Sequence, residues 1–141
     1  MYNFFMSENK EIIQIRENVI GYLYSYELLN RDLDSIDAFE IGDYNEKEIK
    51  YIEHISKNYN IFKKLATKFT KESWPWERIS VLSRSILIYG IFELSFNDAA
   101  LVIDVIVQYT KNFEPDDSYK FIHSILDKVG KYYETIKTNK K

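Results

Sequence analysis

Two histidines, His54 and His123, and no cysteine are the chain's whole stock of imidazole and thiolate metal ligands in 141 residues. Without thiols there are no disulfides, thiolate metal sites or cysteine nucleophiles. Neither histidine has a second histidine one helical turn away, which is the spacing a helical zinc site needs. They read as ordinary surface or hydrogen-bonded side chains. Serine catalysis would need a G-x-S-x-G elbow, and no serine sits in one. A phosphate-cradling loop would need G-x-x-x-x-G-K-[ST] or G-x-G-x-x-G, and neither occurs among the four glycines. Asp116-Asp117 is a carboxylate pair, but its place before Ser118 suits the start of a helix, where acids complement the dipole. The inventory points away from an enzyme and requires no cofactor or metal.

Charge and aromatic rings carry more information. The net charge is only −3, which argues against a surface coated in nucleic-acid contacts. It is unevenly spread: residues 1–60 hold six basic and twelve acidic side chains, residues 61–141 thirteen and ten. Lys63, Lys64, Lys68 and Lys71 form a run without an acid, and Lys64, Lys68 and Lys71 fall on one helix face. Lys128, Lys131, Lys137, Lys140 and Lys141 form a second cluster, opposed by Glu134. Each cluster is either a solvated face or a track for phosphates. Aromatic residues reach 16%, and most fall on apolar helix faces as core. Tyr2, Phe4 and Phe5 precede the expected first helix as an arm that packs on the body or stacks on single-stranded bases.

The elements that must position these groups are helices. A 45% hydrophobic chain of this length forms one domain with a true core. From an N-cap at Ser7, apolar residues Ile12, Ile15, Val19, Tyr22, Tyr26 and Leu29 recur every three or four positions. A turn and a short helix ending near Phe39 follow, and Ile41 to Asn45 breaks the pattern, with Asn45 as the next cap. Ile49, Ile52, Ile55, Tyr59, Phe62, Ala66 and Phe69 mark a long amphipathic helix, with room for a break at Asn58 to Asn60. Pro75 suits a first helical turn. Ile79 to Leu94 is apolar on most sides and predicts a central buried helix. Gly90 within it predicts a close helix–helix approach, since a mid-helix glycine otherwise costs about 0.5–1 kcal/mol against alanine. Asp98 opens a helix to Phe113; Pro115 to Ser118 opens the last, to about Tyr133, before a frayed tail. No strand alternation, signal-peptide pattern or membrane-length apolar run is present, so the expected location is cytoplasmic.

From Trp76 to Lys128 the sequence resembles the NusB family of transcription antitermination factors. The family pattern D-R-A-I-L-R-x-A-x-Y-E-L is matched by Ser83 to Leu94, SRSILIYGIFEL. The pattern I-N-E-A-x-E-L-A-K-x-[FY] is matched by Ile103 to Phe113, IDVIVQYTKNF. The pattern S-x-K-F-V-N-G-V-L-D is matched by Ser118 to Asp127, SYKFIHSILD, at the family's distance from the previous motif. Tyr22-Leu23-Tyr24 stands where the family has Ala-Leu-Tyr. Departures are Ser83 for an acid, Asp104 for Asn, Val105 for Glu, and His123-Ser124 for Asn-Gly. The arginine-rich stretch that opens the family's first helix falls on Ile12, Ile13, Gln14 and Arg16, where only Arg16 keeps the charge.

The resemblance implies an all-α fold of two packed small bundles, about six to seven helices, divided as residues 1–71 and 72–141. It implies pairing with NusE, a small-subunit ribosomal protein, binding of boxA RNA from ribosomal RNA operons, and a place in the RNA polymerase antitermination complex. A homodimer is also open. By resemblance, Lys10, Arg16, Ser118, Lys120 and Phe121 are the RNA-contacting candidates. Tyr24, Arg84, Glu93 and Asp117 are assigned to the partner-facing surface. The alternative is a helical protein-interaction module that keeps the fold and has weakened or lost RNA binding.

Overall fold

The computed structural model describes the backbone of residues 2–29, 34–70, 75–114 and 117–139, and side chains from residue 11 onward within those ranges, save Ser35 and Asn139. Six α-helices carry the chain: α1 (Tyr2–Leu29), α2 (Ser35–Ile41), α3 (Glu46–Lys68), α4 (Val81–Leu94), α5 (Ala99–Phe113) and α6 (Ser118–Asn139). A short 3-10 turn, Trp76–Arg78, precedes α4. No strand occurs among the described residues. The fold is all-α, as the periodicity predicts. Two compact units are formed, Met1–Lys57 and Asn58–Lys141, and α3 runs unbroken through the boundary.

In the first unit the helix ends are tied down by side chains. Asp34 caps α2, its carboxylate accepting from the Ile36 N–H at 2.9 Å. Gly42 ends α2 at φ 83°, a left-handed cap that favours glycine. Asn45 accepts from the Glu48 N–H while Glu48 Oε1 accepts from the Asn45 N–H, both at 2.8 Å, a reciprocal capping box for α3. The other carboxylate oxygen of Glu48 accepts from Asn18 Nδ2 of α1 at 2.8 Å. Glu48 is only 1% exposed, and the two bonds its carboxylate accepts, from the Asn45 N–H and Asn18 Nδ2, offset the cost of burying it. The buried Tyr22 fixes the entry to α2: its hydroxyl donates to the Asp34 carbonyl at 2.9 Å and accepts from the Asp34 N–H at 3.2 Å.

The second unit is organised around α4. Ser80 caps it, accepting from the Ser83 N–H at 3.1 Å. Every residue from Ser85 to Leu94 is buried, because α4 packs against both α5 and α6, which also pack on each other. Three of the buried polar side chains are bonded locally. Ser85 donates to the Val81 carbonyl at 2.9 Å, Thr110 to that of Ile106 at 2.8 Å, and Glu93 accepts from Asn97 Nδ2 at 3.1 Å. Phe92 anchors an aromatic cluster with Phe62, Tyr89 and Phe96, ring centroids 5.1–6.3 Å away. Gly90 makes the close approach that its position predicts. A Cβ there would sit 3.0 Å from Leu126 Cδ2 of α6. Gly21, by contrast, is exposed with nothing within 4 Å of a Cβ position.

Three boundaries differ from the sequence expectation. α1 begins at Tyr2 rather than after Ser7, because no residue between them breaks a helix, so Tyr2, Phe4 and Phe5 are in α1 rather than an arm. α3 is uninterrupted at Asn58–Asn60, since asparagine there costs only propensity while flanking apolar residues stay in register. α6 continues past Tyr133 to Asn139, with Thr135 and Thr138 donating back to the carbonyls of Lys131 and Glu134, each at 3.0 Å. The expected breaker at Pro115–Asp116 and the cluster members Lys71, Lys140 and Lys141 lie outside the described residues.

Three measurements test this packing. Glu48→Ala should lower unfolding stability by about 1–3 kcal/mol, through lost capping and stranded donors. Asn18→Ala should then add little in that background, as shared partners dictate. Gly21→Ala should raise stability by about 0.5–1 kcal/mol, whereas Gly90→Ala should lower it by about 1 kcal/mol through overpacking against the fully buried Leu126. Equal effects at the two glycines would remove the α4–α6 constraint. Desolvation, with the neighbouring Tyr132 second, pushes the Tyr133 phenol up to about 12 from its usual 10.0. Its neutral form is favoured in the folded state, so this stabilisation is complete below pH 10 and lost as pH rises from about 10 through about 12. Tyr133→Phe should show a smaller fall in stability than the parent across that alkaline window in denaturant titrations.

Candidate functional site

The α5–α6 line of contact opens outward into a groove of about 480 Å³. One wall is a single face of α5, with Ala100, Ile103, Asp104 and Val107 at helical spacing. The other is a face of α6, with Tyr119, Lys120, His123 and Asp127. Two capping residues set these faces. Asp98 starts α5 by accepting from the Leu101 N–H at 3.2 Å. Lys120 lies in the first turn of α6, its N–H bonded to the Asp117 carbonyl at 2.9 Å. Ile103 and Val107 are half-buried; Asp104, Lys120 and His123 are exposed.

Charge is graded along the groove. At the start of α6, the Tyr119 ring has Lys111 Nζ of α5 at 4.7 Å from its centroid and Lys120 Nζ at 6.0 Å. Ring quadrupoles attract ammonium groups at these distances, so a tyrosine gathers cations from two helices. Lys120 also faces Asp117 at 3.5 Å across open solvent, where an ion pair contributes little. Toward the other end lie Asp104 and Asp127, and Asp127 holds Lys131 at 3.1 Å through Oδ2. His123 is one turn before Asp127, yet no cluster of three potential metal ligands exists among the described residues.

The structure brings together some of the expected site residues. Ser118, Lys120 and Phe121 share the first turn of α6, just after Asp117, with Phe121 half-buried. Arg84 and Glu93 sit near opposite ends of α4, about 13 Å apart along its axis at 1.5 Å per residue. Glu93 is 2% exposed and bonded to Asn97, while the Arg84 guanidinium lies 6.0 Å from the Trp76 ring centroid. Lys10, Arg16 and Tyr24 belong to α1 in the first unit; Arg16 is half-buried, Tyr24 exposed, and the Lys10 side chain lies outside the described residues. Nothing local in the sequence singles out Lys111 and Tyr119. Their juxtaposition depends on α5 packing against α6, and the one available hint is that Tyr119 is directly beside Lys120.

Of the chain's departures from the family pattern, Asp104 and His123 both line this groove, where the pattern has two amides. The lysine clusters fare differently from a bare charge count. Lys63 lies 5.7 Å from the Trp76 centroid and Lys68 lies 4.4 Å from that of Tyr132, so both stems cover aromatic surface.

Comparison with known proteins places these features. The model of the NusB family matches residues 13–131. The transcription antitermination protein NusB of a Nitratiruptor species is 33% identical over 130 residues, covering 84% of this chain and 90% of the relative. The NusB of Wolinella succinogenes is 32% identical over 129 residues, covering 81% and 90%. Among solved structures, T. maritima NusB superposes with a TM-score of 0.72 at 27% identity, covering 84% of this chain and 89% of that one. With a family match across most of its length and a shared all-helical fold, the chain belongs to the NusB family of non-enzymatic transcription antitermination factors.

Proposed function

We propose that the chain is the RNA-binding subunit of an antitermination complex, pairing with NusE and binding boxA RNA of ribosomal RNA operons beside RNA polymerase in the cytoplasm. Family membership supports the process, and the first turn of α6 supports the ligand. There Ser118, Lys120 and Phe121 place a hydroxyl, a cation and a half-buried ring within one turn, beside Lys111 and Tyr119. Single-stranded RNA is held by that combination, cations on phosphates and rings on unstacked bases. Lys10 and Arg16 of α1 add the remaining cations of the proposal. Tyr24, Arg84, Glu93 and Asp117 are proposed for the NusE side. Among the described residues no helix is long and apolar enough to cross a membrane.

One observation favours a second reading, a protein-interaction module with weakened RNA affinity. Ile12 and Ile13 stand where the family pattern has arginines, and they are 37% and 49% exposed. Exposed isoleucines there suit a protein contact, including a second copy of the chain, better than a phosphate.

The two readings separate in a titration of labelled boxA RNA with the chain alone and with NusE, at two salt concentrations. The RNA-binding reading expects tighter binding with NusE and an affinity that falls with salt. Lys120→Ala and Arg16→Ala should each weaken binding and flatten the log–log salt slope by about 0.7, the value for one lost single-strand phosphate contact. An unchanged slope removes that residue from the RNA site. No binding in either arrangement leaves the interaction module.

A further inference from the structure

We infer that the α5–α6 groove holds one nucleotide of the bound RNA and selects a base bearing an exocyclic amino group over uracil. The inference rests on the RNA-binding reading above and concerns the specificity of that surface. The groove's charge gradient carries it. Lys111 and Lys120 flank Tyr119 at one end, and Asp104 and Asp127 lie toward the other. On each helix cation and carboxylate are seven residues apart, about 10 Å at 1.5 Å per residue. A nucleotide has the complementary polarity over a comparable span, an anionic phosphate at one end and the base edge at the other.

The middle of the groove suits the rest of the nucleotide. Ile103 and Val107 offer a half-buried apolar floor for the flat face of a base, and the volume of about 480 Å³ falls in the range of about 300–1,000 Å³ common for ligand pockets. Carboxylates only accept hydrogen bonds from a base edge. Cytosine, adenine and guanine carry an exocyclic N–H2 that donates; uracil presents carbonyl oxygens on both sides of its single N–H and would face Asp104 with like-signed lone pairs. Asp127 already holds Lys131 at 3.1 Å through Oδ2, so Asp104 is the carboxylate assigned to the base edge. His123, between the two ends, supplies a ring nitrogen to the sugar or base. The Tyr119 ring keeps the two ammonium groups at the phosphate end, away from Asp104 and Asp127, where Lys120 also faces the exposed Asp117 at 3.5 Å.

The test compares 12-nucleotide oligo(C), oligo(A) and oligo(U) at one salt concentration, alongside boxA RNA with NusE. The chain should bind oligo(C) and oligo(A) about tenfold more tightly than oligo(U), the scale of one well-made base contact. Asp104→Ala should bring that ratio to near one without weakening oligo(U) binding, because it removes a negative charge from the groove. Lys111→Ala should weaken all three oligomers equally and flatten the salt slope by about 0.7. Asp104 and Lys111 are exposed, and thermal melts matching the parent confirm that both variants fold. Equal affinity for the three oligomers, or a preference that Asp104→Ala leaves intact, overturns the inference while leaving RNA binding in place. Unchanged RNA binding with lost NusE affinity in Asp104→Ala assigns the groove to a protein and also overturns it. Failure to bind any RNA, boxA with NusE included, overturns this inference and the RNA-binding reading together.

Discussion

A helix that is apolar on every side persists in water only when neighbours cover it all round, and α4 is such a helix. Ten consecutive residues, Ser85 to Leu94, are buried in it. Coverage demands that α6 come close, and Gly90 is where it does: a methyl group would meet Leu126 at 3.0 Å. The missing side chain of one residue thus sets how near α6 lies to α4. Burial there also fixes the polar chemistry, since Ser85, Glu93 and Tyr133 must each find a partner close at hand. For Tyr133 the partner is the Ile91 carbonyl at a long 3.5 Å, and the phenol's reluctance to ionise follows from that same dry setting.

The outer groove is a consequence of this inner constraint. Both α5 and α6 lie on α4 and on each other. Two cylinders in contact leave a valley on the side away from the third, and its lining is whatever each helix presents outward. On α5 that is Asp104 beside Ile103 and Val107; on α6 it is Tyr119, Lys120 and His123. The apolar stripe that satisfies α4 uses Val102, Ile106, Ile122, Ile125 and Val129, all at most 1% exposed, so the valley residues are not needed for the core. Substitutions at Asp104 and His123 therefore alter the groove while the architecture stays put.

Helix existence was legible in the sequence because burial periodicity and capping agree. Asp34, Asn45, Ser80 and Asp98 each cap the helix that follows them. Helix ends were less legible where no breaker stands. Ser7 is as good a helix residue as it is a cap, so α1 runs back to Tyr2, and α6 runs through Tyr133 because Lys137 suits a C-terminal turn. The candidate site divides along the same line. Lys120 and its neighbours in the first turn of α6 share a short stretch of sequence and could be read as a group. Lys111 meets Tyr119 only across a helix pair, and no local pattern records which faces of α5 and α6 will meet.

Charge counts mislead for a related reason. The run Lys63, Lys64, Lys68 looks like a phosphate track when written as a string, but two of its members lie over rings. Lys63 and Arg84 lie 5.7 and 6.0 Å from the Trp76 centroid, and Lys68 lies 5.6 and 4.4 Å from those of Phe69 and Tyr132. A lysine in that position shields an aromatic edge with its stem, and drawing it toward a phosphate forfeits about 0.5–1 kcal/mol of cation–ring attraction at an exposed site. The same interaction acts in the opposite sense at Tyr119. That ring holds Lys111 and Lys120 beside an open groove, so the ammonium groups are positioned before any ligand arrives and less freedom is lost on binding. Whether a cation–ring contact serves packing or recognition is therefore decided by what lies next to it. Trp76 is buried at 6% exposure, with its cations as a lid. Tyr119 instead borders the open α5–α6 groove.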